Sequence, residues 1–145
     1  MRKAIFITGL MAALPAWSCN QGDLTGRWNL FYDDFSCLMT VQPDGRVTAG
    51  QCLHLAEDPD KAGSRDPVRG RLKMQADCRV TGKLNTTDRD NRKVRLSFGQ
   101  TRMTGDLAAL HGIVYVARGE GSGIDIGSPE TFSGDYANFS AVLVD

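Results

Sequence analysis

The sequence predicts an all-β protein, an antiparallel meander of about eight or nine strands closed as a barrel or folded as a sandwich. Three observations predict it. Apolar and polar residues alternate with the two-residue period of half-buried strands through most of the chain. A short signature of apolar residue, Thr or Ser, Gly, any residue, apolar residue recurs along it. No window carries an amphipathic helix of about ten or more residues, and Asp106 to His111 has room for one turn at most.

The signature appears as Leu24-Thr25-Gly26-Arg27-Trp28, Val80-Thr81-Gly82-Lys83-Leu84, Met103-Thr104-Gly105-Asp106-Leu107 and Phe132-Ser133-Gly134-Asp135-Tyr136. Val47-Thr48-Ala49-Gly50-Gln51-Cys52 is a further copy with one residue inserted. A glycine inside a strand marks a bend, a bulge or a close backbone approach. Bends repeated through a meander let the sheet curl and close. Irregular spacing of the copies argues against a solenoid. Further strands are expected at Phe35 to Gln42, Val68 to Gln75, Val94-Leu96-Phe98 and Gly112 to Ala117. A last strand sets Phe139, Ala141 and Leu143 on one face.

Cysteines 37, 52 and 78 show no C-x-x-C spacing, and both histidines, His54 and His111, are isolated. Disulfides are therefore expected rather than zinc. Cys37 and Cys52 flank Gln42-Pro43-Asp44-Gly45-Arg46, where Pro-Asp-Gly fits a type I turn closed by a left-handed glycine. Pairing outward from that turn sets Val41 against Val47, Thr40 against Thr48 and Met39 against Ala49. One bulge, expected at Gly50, then brings Cys37 opposite Cys52. Such a bridge contributes on the order of 3 kcal/mol by the loop-entropy model.

Arg2 and Lys3, an apolar run from Ala4 to Ala16, and small residues Ala16 and Ser18 give residues 1–18 the order of a cleavable secretory signal. The apolar run is shorter than the about 20 residues a membrane-spanning helix needs. Its removal leaves roughly 127 residues, 19–145, enough for a single β domain. Ala16-Trp17-Ser18-Cys19 resembles the lipobox of bacterial lipoproteins, with Ala16 where Leu or Val is usual and a bulky Trp17. The resemblance implies lipidation of Cys19, and Asn20 in place of an inner-membrane retention aspartate implies the outer membrane. Cleavage after Ser18 without lipidation leaves Cys19 to bridge Cys78 instead. The expected location is the periplasm or the outer membrane, with membrane contact only through a lipid on Cys19.

Leu24-Thr25-Gly26-Arg27-Trp28 also resembles the G-x-W first strand of calycins and of small bacterial protease-inhibitor barrels. That resemblance implies a barrel with Trp28 packed at one end. It carries over no ligand residues.

Lys and Arg together number 17, as do Asp and Glu, so net charge gives no reason to expect nucleic acid. Basic clusters at Arg65, Arg69, Arg71, Lys73 and at Arg89, Arg92, Lys93, Arg95 are interleaved with acids and read as solvated strand faces and loops. Asp33-Asp34, Glu57-Asp58-Pro59-Asp60 and Asp88-Arg89-Asp90-Asn91 lack the complete calcium-loop pattern and read as solvated turns. No catalytic, cofactor or metal residues are assigned. Two long polar connections, Ala56 to Pro67 and Arg118 to Glu130, offer partner contacts at Asp58 and Asp60 and at Ile124, Asp125 and Ile126. The expected function is a non-catalytic binding or assembly module of the cell envelope with a protein partner. A periplasmic hydrolase or protease inhibitor and a small-molecule carrier are the alternatives.

Overall fold

A computed structural model describes residues 18–54, 65–87, 92–119 and 132–144. These residues form a closed eight-stranded antiparallel meander barrel, and the alternative of a sandwich falls away. A 3-10 turn at Gln21–Leu24 leads into β1 (Gly26–Tyr32), β2 (Phe35–Val41) and β3 (Arg46–His54). Next come β4 (Arg65–Pro67) and β5 (Arg69–Met74), then β6 (Arg79–Thr87), β7 (Lys93–Met103), β8 (Ala109–Gly119) and β9 (Phe132–Val144). β4 and β5 are two pieces of one stave, both paired with β3 and interrupted at Val68, whose N–H donates to the Gly50 carbonyl at 2.9 Å. Pairing of β9 with β1, from Tyr32↔Phe139 to Arg27↔Val144, closes the circle and leaves this stretch of sheet without an edge.

Alternation along each strand aims one set of side chains inward. Trp28, Leu30, Tyr32, Cys37, Met39, Leu72, Leu84, Val94, Leu96, Val114 and Ala141 are all buried there. Phe98 and Phe139 meet edge to face with ring centroids 5.0 Å apart. Trp28, Leu30, Cys37, Leu72, Leu84, Val94 and Val114 are inaccessible even to a water-sized sphere, so the interior around them is filled. An eight-stranded barrel is about the width that side chains alone can fill.

The two ends differ. At the closed end the Trp28 indole N–H donates to the Leu24 carbonyl at 2.8 Å, which seats the 3-10 turn across the barrel floor. Asn20 caps that turn by accepting from the Gly22 N–H, and the Asp23 carboxylate accepts from the Asn20 N–H. Gln21 accepts from the Met74 N–H and donates to the Leu72 carbonyl. Three tight turns lie at this end, between β2 and β3, β5 and β6, and β7 and β8. The opposite end carries the Asp33–Asp34 turn and the roots of all three connections that lie outside the described residues.

Two disulfides form. Cys37–Cys52 joins directly opposed residues of β2 and β3 inside the barrel, as the hairpin register predicts. Cys19–Cys78 ties the segment before the 3-10 turn to the β5–β6 turn. A sulfur bonded to another sulfur has no valence left for a thioether. Of the two fates the sequence leaves open to Cys19, the structure contains the bridge to Cys78.

The bulge that aligns Cys37 with Cys52 lies at Thr48 rather than Gly50, because the register steps from Val41↔Val47 to Thr40↔Ala49. Thr48 faces solvent and its hydroxyl accepts from the Gln42 amide at 2.9 Å, so an extra residue is tolerated there. Gly50 has another duty. A Cβ at Gly50 would lie 3.0 Å from the Val68 Cβ and 3.2 Å from the Met39 Cβ, so its bareness admits the broken β4–β5 stave.

The recurring signature also divides. Gly82 bends its strand at φ 134°, and a Cβ there would sit 2.2 Å from the Arg71 carbonyl oxygen. Only glycine fits. The Met103–Leu107 copy is instead a turn after β7. Its Thr104 hydroxyl accepts from the Ala109 N–H, and the Asp106 carboxylate accepts from the Ala108 N–H. These side-chain bonds to backbone replace the strand ladder.

Candidate functional site

Of the residues singled out from sequence, Asp58, Asp60, Ile124, Asp125 and Ile126 lie outside the described residues. Their flanking strand ends, His54 and Arg65, and Gly119 and Phe132, all stand at the open end. There Asp33, at the tip of the β1–β2 hairpin, pairs with Arg118 of β8 at 3.5 Å. His111 is exposed on β8 with no acid or serine bonded to it. Among the described residues no three of His, Cys, Asp and Glu gather as metal ligands.

The outer surface divides into two unlike walls. One covers β2, β1, β9 and β8, adjacent in that order. Its outward positions are Ser36, Leu38 and Thr40 on β2, and Arg27, Asn29 and Phe31 on β1. On β9 they are Tyr136, Asn138, Ser140 and Val142, and on β8 His111, Ile113 and Tyr115. Arg27 is the one Lys, Arg, Asp or Glu among these described positions. Tyr136 is 65% exposed, Val142 44%, Leu38 43%, and Phe31 and Ile113 38% each.

Register explains how these side chains meet. Phe31 stands opposite Ser140, Ile113 opposite Asn138 and Tyr115 opposite Tyr136. The Tyr115 and Tyr136 rings meet at 5.3 Å between centroids. The Tyr115 ring also lies across Gly134, where a Cβ would come within 2.4 Å of it, so that glycine provides the seat for the ring. Two concavities lie on the β1 side of the tyrosine pair. A groove of about 480 Å³ runs over β1 to β3 between Asn29, Leu38, Ala49 and Gln51. A second hollow of about 380 Å³ lies by Phe31, Asp33, Asn138 and Ser140.

No family model matches this chain. No curated protein matches it either.

The second wall is the outer face of β5, β6 and β7. Arg69, Arg71 and Lys73 alternate along β5, Arg79 and Lys83 face outward on β6, and Lys93, Arg95 and Arg102 on β7. Thr81, Asn85, Thr87, Ser97 and Gln100 fill the positions between them, and no carboxylate faces outward from these strands. Of the acids near the basic residues in sequence, Asp44, Asp77 and Asp106 lie in turns, Asp66 lies in β4, and Asp88 and Asp90 fall outside the described residues. At the closed end Asp44 takes Arg46 at 2.6 Å and Arg71 at 3.3 Å. Asp77 takes Arg102 at 3.6 Å and Arg79 at 3.8 Å.

The Arg46 backbone N–H, and then the Arg46 and Arg71 guanidinium groups, hold the Asp44 carboxyl below its usual range. The Thr104 hydroxyl and the Ala108 N–H do the same for Asp106. Both acids serve the closed-end turns.

Neither wall was assigned from the sequence. Alternation of Arg69, Arg71 and Lys73 signals one cationic strand face. That β6 and β7 extend the same face depends on register. The pairing of Phe31 with the Tyr136 strand depends on closure of β1 against β9.

Proposed function

We propose that this protein is a non-catalytic binding module of the bacterial cell envelope, exported by its N-terminal signal and held in the periplasm. It engages a protein partner through the β2–β1–β9–β8 wall. The observation that carries this is the composition of that wall. Exposed Phe31, Ile113, Tyr136 and Val142 sit among Asn29, Asn138, Ser36 and Ser140, with Arg27 the single charge among the described outward positions.

Protein interfaces are depleted of charge at their centres and enriched in aromatic side chains. Tyrosine with Ser and Asn supplies large contact area and adaptable hydrogen bonds at low entropic cost. The two disulfides agree with an oxidising, exported compartment. The packed interior gives the carrier alternative no cavity among these core residues. An inhibitor of an envelope hydrolase is the second reading, favoured by burial of Trp28 at the barrel base.

Affinity capture from envelope extracts tests the principal reading. The Phe31→Glu/Tyr136→Glu double variant should lose the partner that wild type retains, by about tenfold or more, with an unchanged melting temperature. Lys83→Glu, on the other wall, should retain it. Equal capture by the double variant would remove this wall as the binding surface. Inhibition of a captured hydrolase by the barrel would select the second reading.

A further inference from the structure

We propose that the β5–β6–β7 wall docks on the surface of an anionic phospholipid membrane. The surface is one-sided in charge. Strand spacing of about 4.8 Å and an interval of about 6.7 Å between alternate residues make it a lattice of cations. The inference is independent of the protein partner assigned to the other wall.

Its internal arrangement points outward. Arg71 stands directly opposite Lys83, a like-charge pair that costs the sheet stability. Asp44 and Asp77 neutralise the closed-end arginines, while Arg69, Lys73, Lys83 and Lys93 have no ion pair among the described residues. Asp44 takes up the charge of Arg71 but none of Lys83, and an external anion offsets the repulsion that remains there.

Chemistry selects the anion. A protein interface has an apolar or aromatic centre and is poor in lysine. No outward position of this wall described above is apolar or aromatic. Single-stranded nucleic acid is held by aromatic stacking as well as charge, and none is present here. Duplex nucleic acid asks only for cations, but the two disulfides belong to an oxidising compartment. Lipid headgroups move laterally to match any cation lattice, and each Lys or Arg near an anionic leaflet contributes about 1 kcal/mol. With the Cys19 sulfur committed to Cys78, this contact needs no acyl chain.

Vesicle co-sedimentation of the exported, disulfide-bonded protein tests it. Binding is expected to phosphatidylglycerol–phosphatidylcholine vesicles and not to phosphatidylcholine alone. It should fall at least tenfold between about 0.1 M and about 1 M salt, where the screening length shrinks from about 10 Å to about 3 Å. Lys83→Glu should weaken it about tenfold or more, while Arg27→Glu, the same charge change on the other wall, should leave it within about twofold. Melting temperatures identify any variant that fails to fold, and Lys73→Glu then replaces it. Equal binding to neutral vesicles, equal loss in the Arg27 variant, or capture of an acidic polypeptide or duplex DNA without vesicle binding would each overturn the proposal.

Discussion

The two walls are built on one plan and finished differently. Behind both, alternate residues point into the same packed interior: Leu30 and Cys37 behind the neutral wall, Leu72, Leu84 and Leu96 behind the cationic one. The inward half of the pattern makes a barrel, and it is the same all the way round. The outward half contributes little to stability, so its composition is free to vary. On one side it holds aromatic and amide side chains with a lone arginine; on the other it holds cations with no acids. Solubility alone is best served by mixed charges on every face. Segregation on this scale is better explained by two different contacts on opposite sides of one rigid body.

If the walls are independent finishes on a shared interior, loss of stability should affect neither in preference. The largest effect is expected at the bridges. Cys19–Cys78 closes a sequence separation of 59 residues and Cys37–Cys52 one of 15. Loop entropy then assigns about 4 kcal/mol to the first and about 3 kcal/mol to the second. Urea unfolding of Cys19→Ser/Cys78→Ser should show that loss while the folded fraction retains both partner and vesicle binding. Loss of vesicle binding alone in the folded state would show that the β5–β6 turn, where Cys78 sits, shapes the cationic wall directly.

A smaller effect of opposite sign is expected at Lys83. Replacing it with Glu puts unlike charges opposite Arg71 and should raise stability by about 0.2–1 kcal/mol, measured by thermal or urea unfolding. The same variant is expected to lose vesicle binding. A gain in stability with a loss of binding is the signature of a residue kept for a contact rather than for the fold. Destabilisation by Lys83→Glu would instead mean that the lysine serves the barrel.

Strands, turns and the Cys37–Cys52 bridge were legible because each depends on neighbours a few residues away. Alternation such as Val94-Leu96-Phe98 reports one buried face, and Pro43-Asp44-Gly45 reports its own turn. Features that depend on distant backbone were not legible. Gly50 carries every local mark of a bulge, yet Val68 crowds it from another stave and the extra residue moves to Thr48. Met103-Thr104-Gly105-Asp106-Leu107 satisfies the strand signature letter for letter. Thr104 and Asp106 spend their side chains on the backbone instead, and a turn results. The walls were the least legible. Leu30-Phe31-Tyr32 is an unbroken apolar run, and nothing within it says that Phe31 is the residue left outside. Only closure brings it beside β9, at the far end of the chain.

The smallest expected effect links the closed end to the cationic wall through Asp44, whose carboxylate takes Arg71 as well as Arg46. Its pKa in the folded protein is depressed below the ordinary 3.8. The contribution to stability is therefore fully present above the unfolded-state value and is lost as pH falls through the lower folded one. Between pH 5 and pH 8 the group should contribute no slope, as unfolding at several pH values would check. Asp44→Asn should flatten part of the acid limb, with Asp106 supplying a further part. The substitution also releases Arg71 from its only ion pair among the described residues, so vesicle affinity near neutral pH should rise slightly. A fall in affinity would mean that Asp44 holds Arg71 in the position the membrane requires, making the carboxylate part of the cationic wall rather than its boundary.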